Sequence, residues 1–273
     1  MSSSTPNAPS RDQWIEIAAR TGLTAKGIVY SLVGILTFMA AFEMGTGDDK
    51  GGKSQALEWI EEQPFGQVLL GLIAIGLLCY SVWRLVEAFL DTEDKGSDAK
   101  GLVVRSRYVF SGLMYAASTF YAAKLLFGSG SDDGSDTRET VAQKLLQQPY
   151  GQWLVGAVAL GVMAVGVYQA YYSLSGKHRK KIQKTKLDNK VKETLLASGK
   201  VGYIARGIVW LLIGYLFLRA ALQSDSSEAG GSDSAFSFLE QAWGSWVLAI
   251  VALGLVCYGI FSFVRARYQP VNT

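Results

Sequence analysis

Six stretches of the chain carry almost no charge, and polar segments dense in charge lie between them. They cover roughly residues 25–44, 68–90, 108–127, 152–174, 203–222 and 246–264. Each is close to the ~20 residues that a helix needs to cross a hydrocarbon core of ~30 Å. The apolarity is continuous rather than alternating, and an open sheet cannot satisfy its backbone groups in lipid, so helices are predicted and strands excluded. The fifth stretch is the shortest, with twelve uncharged residues between Arg206 and Arg219. It spans if those two side chains snorkel to opposite interfaces.

The six stretches form three copies of one two-helix unit. Gly22-Leu-Thr-Ala-Lys-Gly-Ile-Val-Tyr30 returns as Gly202-Tyr-Ile-Ala-Arg-Gly-Ile-Val-Trp210 and, more faintly, as Arg107-Tyr-Val-Phe-Ser-Gly-Leu-Met-Tyr115. A second landmark precedes the second helix of each copy: Pro64-Phe65-Gly66, Pro149-Tyr150-Gly151 and Ala242-Trp243-Gly244. Ten residues beyond each of those glycines stand Gly76, Gly161 and Gly254, with Ala74, Ala159 and Ala252 two positions earlier. The predicted organisation is a disordered tail at 1–12, repeats at 13–90, 98–175 and 191–268, and a basic linker at 176–190. An all-α integral membrane protein follows, with six transmembrane helices and a pseudo-three-fold arrangement, since two-helix units all enter the membrane in the same direction. Short interfacial helices are expected at 56–62, 141–147 and 235–241 on one side, and around Trp14–Ile17 and Val191–Leu196 on the other.

The triple pattern of Gly-Ile-Val-Tyr, then Pro-aromatic-Gly, then a glycine-containing helix resembles the bacterial membrane family called domain of unknown function 1206, over about residues 19–267. The second copy departs from it, with Ser111 in place of Lys26 and Arg107 in place of Gly22. The resemblance implies six transmembrane helices in a bacterial inner membrane. It brings no catalytic residues with it.

Composition agrees with this: 49% of residues are apolar, 18% are charged and 30 are glycine, a balance shifted toward the membrane class. The net charge of +3 conceals a strong segregation, because 20 of the 26 Lys and Arg fall on one side of the predicted spans. By the positive-inside rule that side is cytoplasmic and holds both termini. The loops of the other side are acidic, at 47–52, 131–136 and 224–228. The amino terminus has no basic region of the secretory kind, so the first apolar stretch is expected to be retained.

Candidate chemistry is sparse. Cys79 and Cys257 lie within apolar stretches and are expected as free thiols, and His178 is the only histidine, so neither a metal site nor a cofactor is expected. No nucleophile is spaced with His178 as a catalytic triad requires, and an enzyme is not expected. A three-fold axis would gather Arg20, Arg105 and Lys200 into one ring, and Lys26, Ser111 and Arg206 into a less regular one. These would hold anionic lipid headgroups or line an inner mouth, although anchoring of helix ends explains them more simply. Arg84 and Glu87, three apart on one helical face, are a candidate intramembrane pair, with an ordinary interfacial ion pair as the plainer reading. Gly76, Gly161 and Gly254 are expected at close helix contacts. Tyr30, Tyr115 and Trp210 share one repeat position near the inner boundary. The run from Lys177 to Lys186 lacks interleaved aromatics and points to a membrane surface, not to nucleic acid.

The expected function is a structural or regulatory module that binds membrane lipids, anionic ones among them, or membrane protein partners. The alternative is a small channel or transporter using the axis or a groove between repeats. The near absence of polar residues at the span centres counts against ion-coupled transport.

Overall fold

A computed structural model describes residues 11–42, 44, 53–91, 96–127, 142–176 and 189–268, with the backbone alone for 11–15, 53–55 and 189–191. The disordered-tail expectation for residues 1–10, the loop tips at 47–52 and 131–136, and the basic run with His178 lie outside the described residues. Among the described residues the fold is all helical: α1 (Arg11–Ala41), α2 (Lys53–Glu61), α3 (Gly66–Leu90), α4 (Ala99–Leu126), α5 (Gly151–Leu174), α6 (Asn189–Gln223), α7 (Ser232–Trp243) and α8 (Ser245–Tyr268), with a 3-10 turn at Ser226–Glu228 and a helical stretch at 142–146.

Five segments, Glu16–Ala41, Gly66–Leu90, Gly151–Leu174, Lys192–Gln223 and Ser245–Tyr268, are long and apolar enough to cross a membrane. The least apolar of the six long helices is α4, not the fifth stretch. With 28 residues α4 is long enough, but Tyr108, Ser111, Tyr115, Ser118, Thr119 and Tyr121 interrupt its apolar run. The interfacial helices expected ahead of the first and fifth spans are not separate pieces. Residues 14–17 belong to α1 and residues 191–196 to α6, because no proline intervenes to interrupt the backbone ladder.

The short helices at the opposite end fold onto the bundle through their apolar faces. Leu57 and Ile60 of α2 and Phe236 and Leu239 of α7 are buried. Phe65, Tyr150, Trp153, Trp243 and Trp246 stay exposed around that end, where aromatic side chains suit a membrane interface. The turn into the second helix of a repeat needs its glycine for space. A Cβ on Gly66 would stand 2.2 Å from the carbonyl oxygens of both Ile60 and Glu61, and one on Gly151 2.3 Å from that of Leu145. The preceding aromatic residues take the left-handed conformation, Phe65 at φ 64° and Tyr150 at φ 66°, whereas in the third copy the positive φ falls on Gly244 itself, at 84°.

The closest helix pairs join one repeat to the next: α3 with α4, α5 with α6, and α8 with α1. Small residues at equivalent places make these seams. A Cβ on Gly259 would lie 2.9 Å from the Gly27 carbonyl oxygen and one on Gly166 2.8 Å from that of Gly207, while the Ser81 hydroxyl donates to the Gly112 carbonyl at 2.8 Å. Within repeats, α1 packs on α3 and α6 on α8. Gly22 lies against Tyr80 and Gly202 against Tyr258, and a Cβ on Gly76 or Gly254 would meet that of Ala25 or Ala205 at 2.4 Å. The corresponding pair of the second repeat, α4 and α5, does not pack closely among the described residues. Arg107 replaces the glycine there, and a Cβ on Gly161 would meet nothing within 4 Å.

The three equivalent glycines therefore differ in tolerance. Gly76→Leu and Gly254→Leu are expected to destabilise the protein by about 1–3 kcal/mol or more through overpacking. Gly161→Leu is expected to be neutral or to stabilise by up to ~1 kcal/mol through helix propensity. Thermal unfolding in detergent measures all three, and equal losses would refute the difference in packing.

Candidate functional site

Where α1, α4 and α6 begin their apolar portions and α3, α5 and α8 end theirs, side chains from all six enclose a cavity of ≈ 90 Å³. Five basic residues line it: Lys26, Arg84, Arg107, Arg206 and Arg265. No carboxylate does so among the described residues. Seven tyrosines supply most of the remaining wall: Tyr80, Tyr108, Tyr115, Tyr168, Tyr172, Tyr203 and Tyr258.

Burying a cation in an apolar bundle is costly unless it is solvated by other means. Tyrosine does so in two ways, accepting a hydrogen bond at its hydroxyl and offering the negative face of its ring. Lys26, 2% exposed, donates from Nζ to the Tyr80 hydroxyl at 3.1 Å and lies 4.8, 5.4 and 5.0 Å from the ring centres of Tyr80, Tyr115 and Tyr258. Arg206 donates to the Tyr258 hydroxyl at 2.6 Å and faces the rings of Tyr30 and Tyr258 at 5.1 and 5.0 Å. Arg84 donates to the same Tyr80 hydroxyl at 3.0 Å and pairs with Glu87, itself 3% exposed, at 2.5 Å. Arg107 reaches from α4 to α5 and covers the Tyr168 ring at 4.6 Å.

Two buried polar atoms on this wall, Gln169 Oε1 and Arg206 Nε, have no hydrogen-bond partner among the described residues. Orphaned buried groups of this kind each cost about 1–3 kcal/mol, and the two residues that carry this acceptor and this donor both line the cavity. A second cavity of ≈ 190 Å³ adjoins the first, sharing Phe110, Met114, Arg206 and Trp210. Its further lining is mostly apolar, including Val33, Val158, Val162, Ile213 and Phe236.

The two expected rings fare differently. Lys26, Ser111 and Arg206 meet in the cavity. Arg20 and Arg105 lie outside it and cap helix ends: Arg20 donates to the carbonyls of Ala266 and Arg267 at 3.0 and 2.8 Å, and Arg105 to those of Ala88 and Phe89 at 2.7 and 3.2 Å. Such contacts satisfy the last carbonyls of α8 and α3 and oppose the negative end of the helix dipole. Lys200 is exposed, and its carbonyl accepts from the Ser173 hydroxyl at 2.8 Å. Tyr30, Tyr115 and Trp210 all line one cavity or the other. Cys79 and Cys257 are free and partly buried.

Sequence reasoning misses Arg107, Gln169 and Arg265 as members of the site. Their repeat register was the available signal. Arg107 occupies the glycine position of the other copies, Gln169 the position of Arg84, and Arg265 that of Glu87.

The family described as Domain of Unknown Function (DUF1206) matches the chain three times, at residues 21–91, 107–176 and 201–269. The chain belongs to this family. This chain thus carries three consecutive copies of the family's unit, and each match overlaps one of the repeats seen in the sequence. The uncharacterized protein YxxB of Bacillus subtilis (strain 168) is 33% identical over 260 residues, covering 95% of this chain and 93% of its own length. No solved structure matches.

Because Tyr80 accepts from both Lys26 and Arg84, Tyr80→Phe leaves two buried cations short of an acceptor. It is expected to cost about 1–3 kcal/mol, read as a lowered unfolding temperature in detergent. Tyr171→Phe, on an exposed residue, is the control and is expected to change it little.

Proposed function

We propose that this protein is a multi-pass module of the bacterial inner membrane, with both termini cytoplasmic, that binds the anionic headgroup of a membrane lipid in its basic cavity and carries out no catalysis. The observation that carries this reading is the lining itself: among the described residues, five basic side chains, no carboxylate and two polar atoms without a hydrogen-bond partner, enclosed in a bundle of apolar helices. An anion repays part of the cost of gathering those cations.

In this reading all six long helices span, around an approximate three-fold axis. The cyclic sequence of packed neighbours supports it: α1, α3, α4, then α5, α6, α8 and back to α1, with only the α4/α5 seam open. The lower apolarity of α4 is compatible with a membrane, because Ser118 and Thr119 donate back to the carbonyls of Met114 and Tyr115 at 3.1 and 2.9 Å, which satisfies their hydroxyls within the helix. The excess of Lys and Arg at the cavity end favours its cytoplasmic orientation. For the channel alternative, the two adjoining cavities along the bundle speak in its favour, and the buried cap of Leu57, Ile60, Phe236 and Leu239 at the opposite end speaks against it.

Neutralising the cavity and neutralising the helix caps are expected to separate. Lys26→Gln with Arg206→Gln should weaken binding of phosphatidylglycerol about tenfold or more, each desolvated charge contact contributing roughly 1.5–3 kcal/mol. Arg20→Gln with Arg105→Gln should leave affinity nearly unchanged while lowering stability. Native mass spectrometry of the full chain titrated with defined lipids reads the affinity. Equal affinity in wild type and the cavity variant would sink the proposal.

A further inference from the structure

Gly161 lies where its counterparts Gly76 and Gly254 are jammed against a neighbouring alanine, yet nothing stands within 4 Å of its Cβ position. This opening is at the α4/α5 seam, the one place where the cycle of packed helices is interrupted, and both cavities are lined by α4 and α5. Val158 belongs to the apolar cavity and is nevertheless 44% exposed, so that cavity reaches the outer surface of the bundle between these helices. The neighbouring Leu160 and Val167 are exposed on α5, so the surface around the opening is apolar.

We propose that the gap between α4 and α5 is a lateral portal that admits one anionic phospholipid from the bilayer, its headgroup in the basic cavity and one acyl chain in the apolar cavity beside it. The inference rests on reading the basic cavity as an anion site and adds the route and the ligand class. The two cavities share Phe110, Met114, Arg206 and Trp210, which matches a ligand with a charged end joined directly to hydrocarbon. A soluble anion would use only the first. Gln169, 7% exposed, offers an unpartnered acceptor, and Arg206 Nε an unpartnered donor. A headgroup holding both a phosphate oxygen and a hydroxyl answers the two together, as phosphatidylglycerol does and phosphatidylcholine, which has no hydroxyl, does not.

The portal originates in two substitutions between copies. Gly22 and Gly202 allow the first helix of their repeats to close on Tyr80 and Tyr258. In the second copy Arg107 occupies that position and Val165, also on the cavity wall, occupies that of the tyrosine. A guanidinium cannot enter the space that a glycine leaves, so α4 stands off from α5 and Arg107 joins the basic lining.

The test compares the full-length wild type with Gly161→Phe and Gly161→Leu, which fill the portal without touching the residues of the basic cavity, and with Gly161→Ala. Native mass spectrometry follows phosphatidylglycerol and phosphatidylcholine, and calorimetry follows glycerol 3-phosphate as the headgroup alone. Phosphatidylglycerol is expected to bind the wild type and the alanine variant in one copy, about tenfold tighter than phosphatidylcholine. The leucine and phenylalanine variants should lose about tenfold or more for the lipid while glycerol 3-phosphate binding changes less than about threefold. Phosphatidylglycerol brominated on its acyl chain should quench Trp210, read as the difference from Trp210→Phe. If the filled variants take up lipid as the wild type does, or if the quenching persists without Trp210, the portal is overturned and the headgroup site stands. If the wild type prefers neither phosphatidylglycerol nor glycerol 3-phosphate to phosphatidylcholine and buffer, both readings fall. Parallel loss of lipid and glycerol 3-phosphate in the filled variants also overturns the portal, since the headgroup site itself is then what changed.

Discussion

Backbone-close approach of helices over glycine makes the packed seams of this bundle. Lipid offers no hydrophobic drive for helices to associate, so they hold together through dispersion contacts and hydrogen bonds that need small residues at the seams. Gly27, Gly112 and Gly207 serve the junctions between repeats, facing Gly259, Ser81 and Gly166. Gly22 and Gly202 serve the junctions within repeats, where their Cβ positions fall within 3 Å of Tyr80 and Tyr258. The tyrosines so clamped are the ones whose hydroxyls accept from Lys26, Arg84 and Arg206. Helix packing and the solvation of buried charge are therefore carried by the same positions.

That coupling explains why a cavity exists at all. Three equal repeats with glycine at every seam would close their helices pairwise. The second repeat carries a large cation at its seam position and lacks the tyrosine opposite, so one junction of the cycle stays open. The asymmetry is local: the other junctions keep their spacing, and α2 and α7 still cover the far end with Leu57 and Phe236 buried.

Much of the fold could be read from the chain. Three copies, their helices and the capping pieces ahead of each second helix follow from residue type and spacing, because in lipid the backbone must bond within each helix and residue identity alone sets where helices stop. Continuity at the amino-terminal ends of α1 and α6 was not legible, since an amphipathic turn ahead of a span reads the same whether or not a bend separates them. The ranking of spans misled for a related reason. Counting charges flags Arg206 and Arg219, whereas the hydroxyls and tyrosines of α4 lower its apolarity without adding charge. For the site, Lys26 and Arg206 were visible as members of a ring, but Arg20 and Arg105 looked equally suitable. What separates them is depth: one pair faces inward among rings, the other bends back to the carbonyls of Ala266 and Ala88, and sequence alone does not give that direction.

The departures from repeat symmetry carry more functional information than the symmetry. Lys26, Ser111 and Arg206 are equivalent positions with different groups, as are Arg84, Gln169 and Ser262, and Glu87, Tyr172 and Arg265. A helix cap can be the same in each copy that uses it, as Arg20 and Arg105 illustrate, whereas their third counterpart, Lys200, is exposed. Around the cavity the copies instead contribute cations from four helices besides α4, a carboxamide from α5 and a serine from α4. The lipid proposed for this cavity would meet each repeat from a different side and so would select a different group from each. The unlike residues at like positions, and the seam left open beside them among the described residues, are what the proposed single lipid would require of a bundle built from three copies.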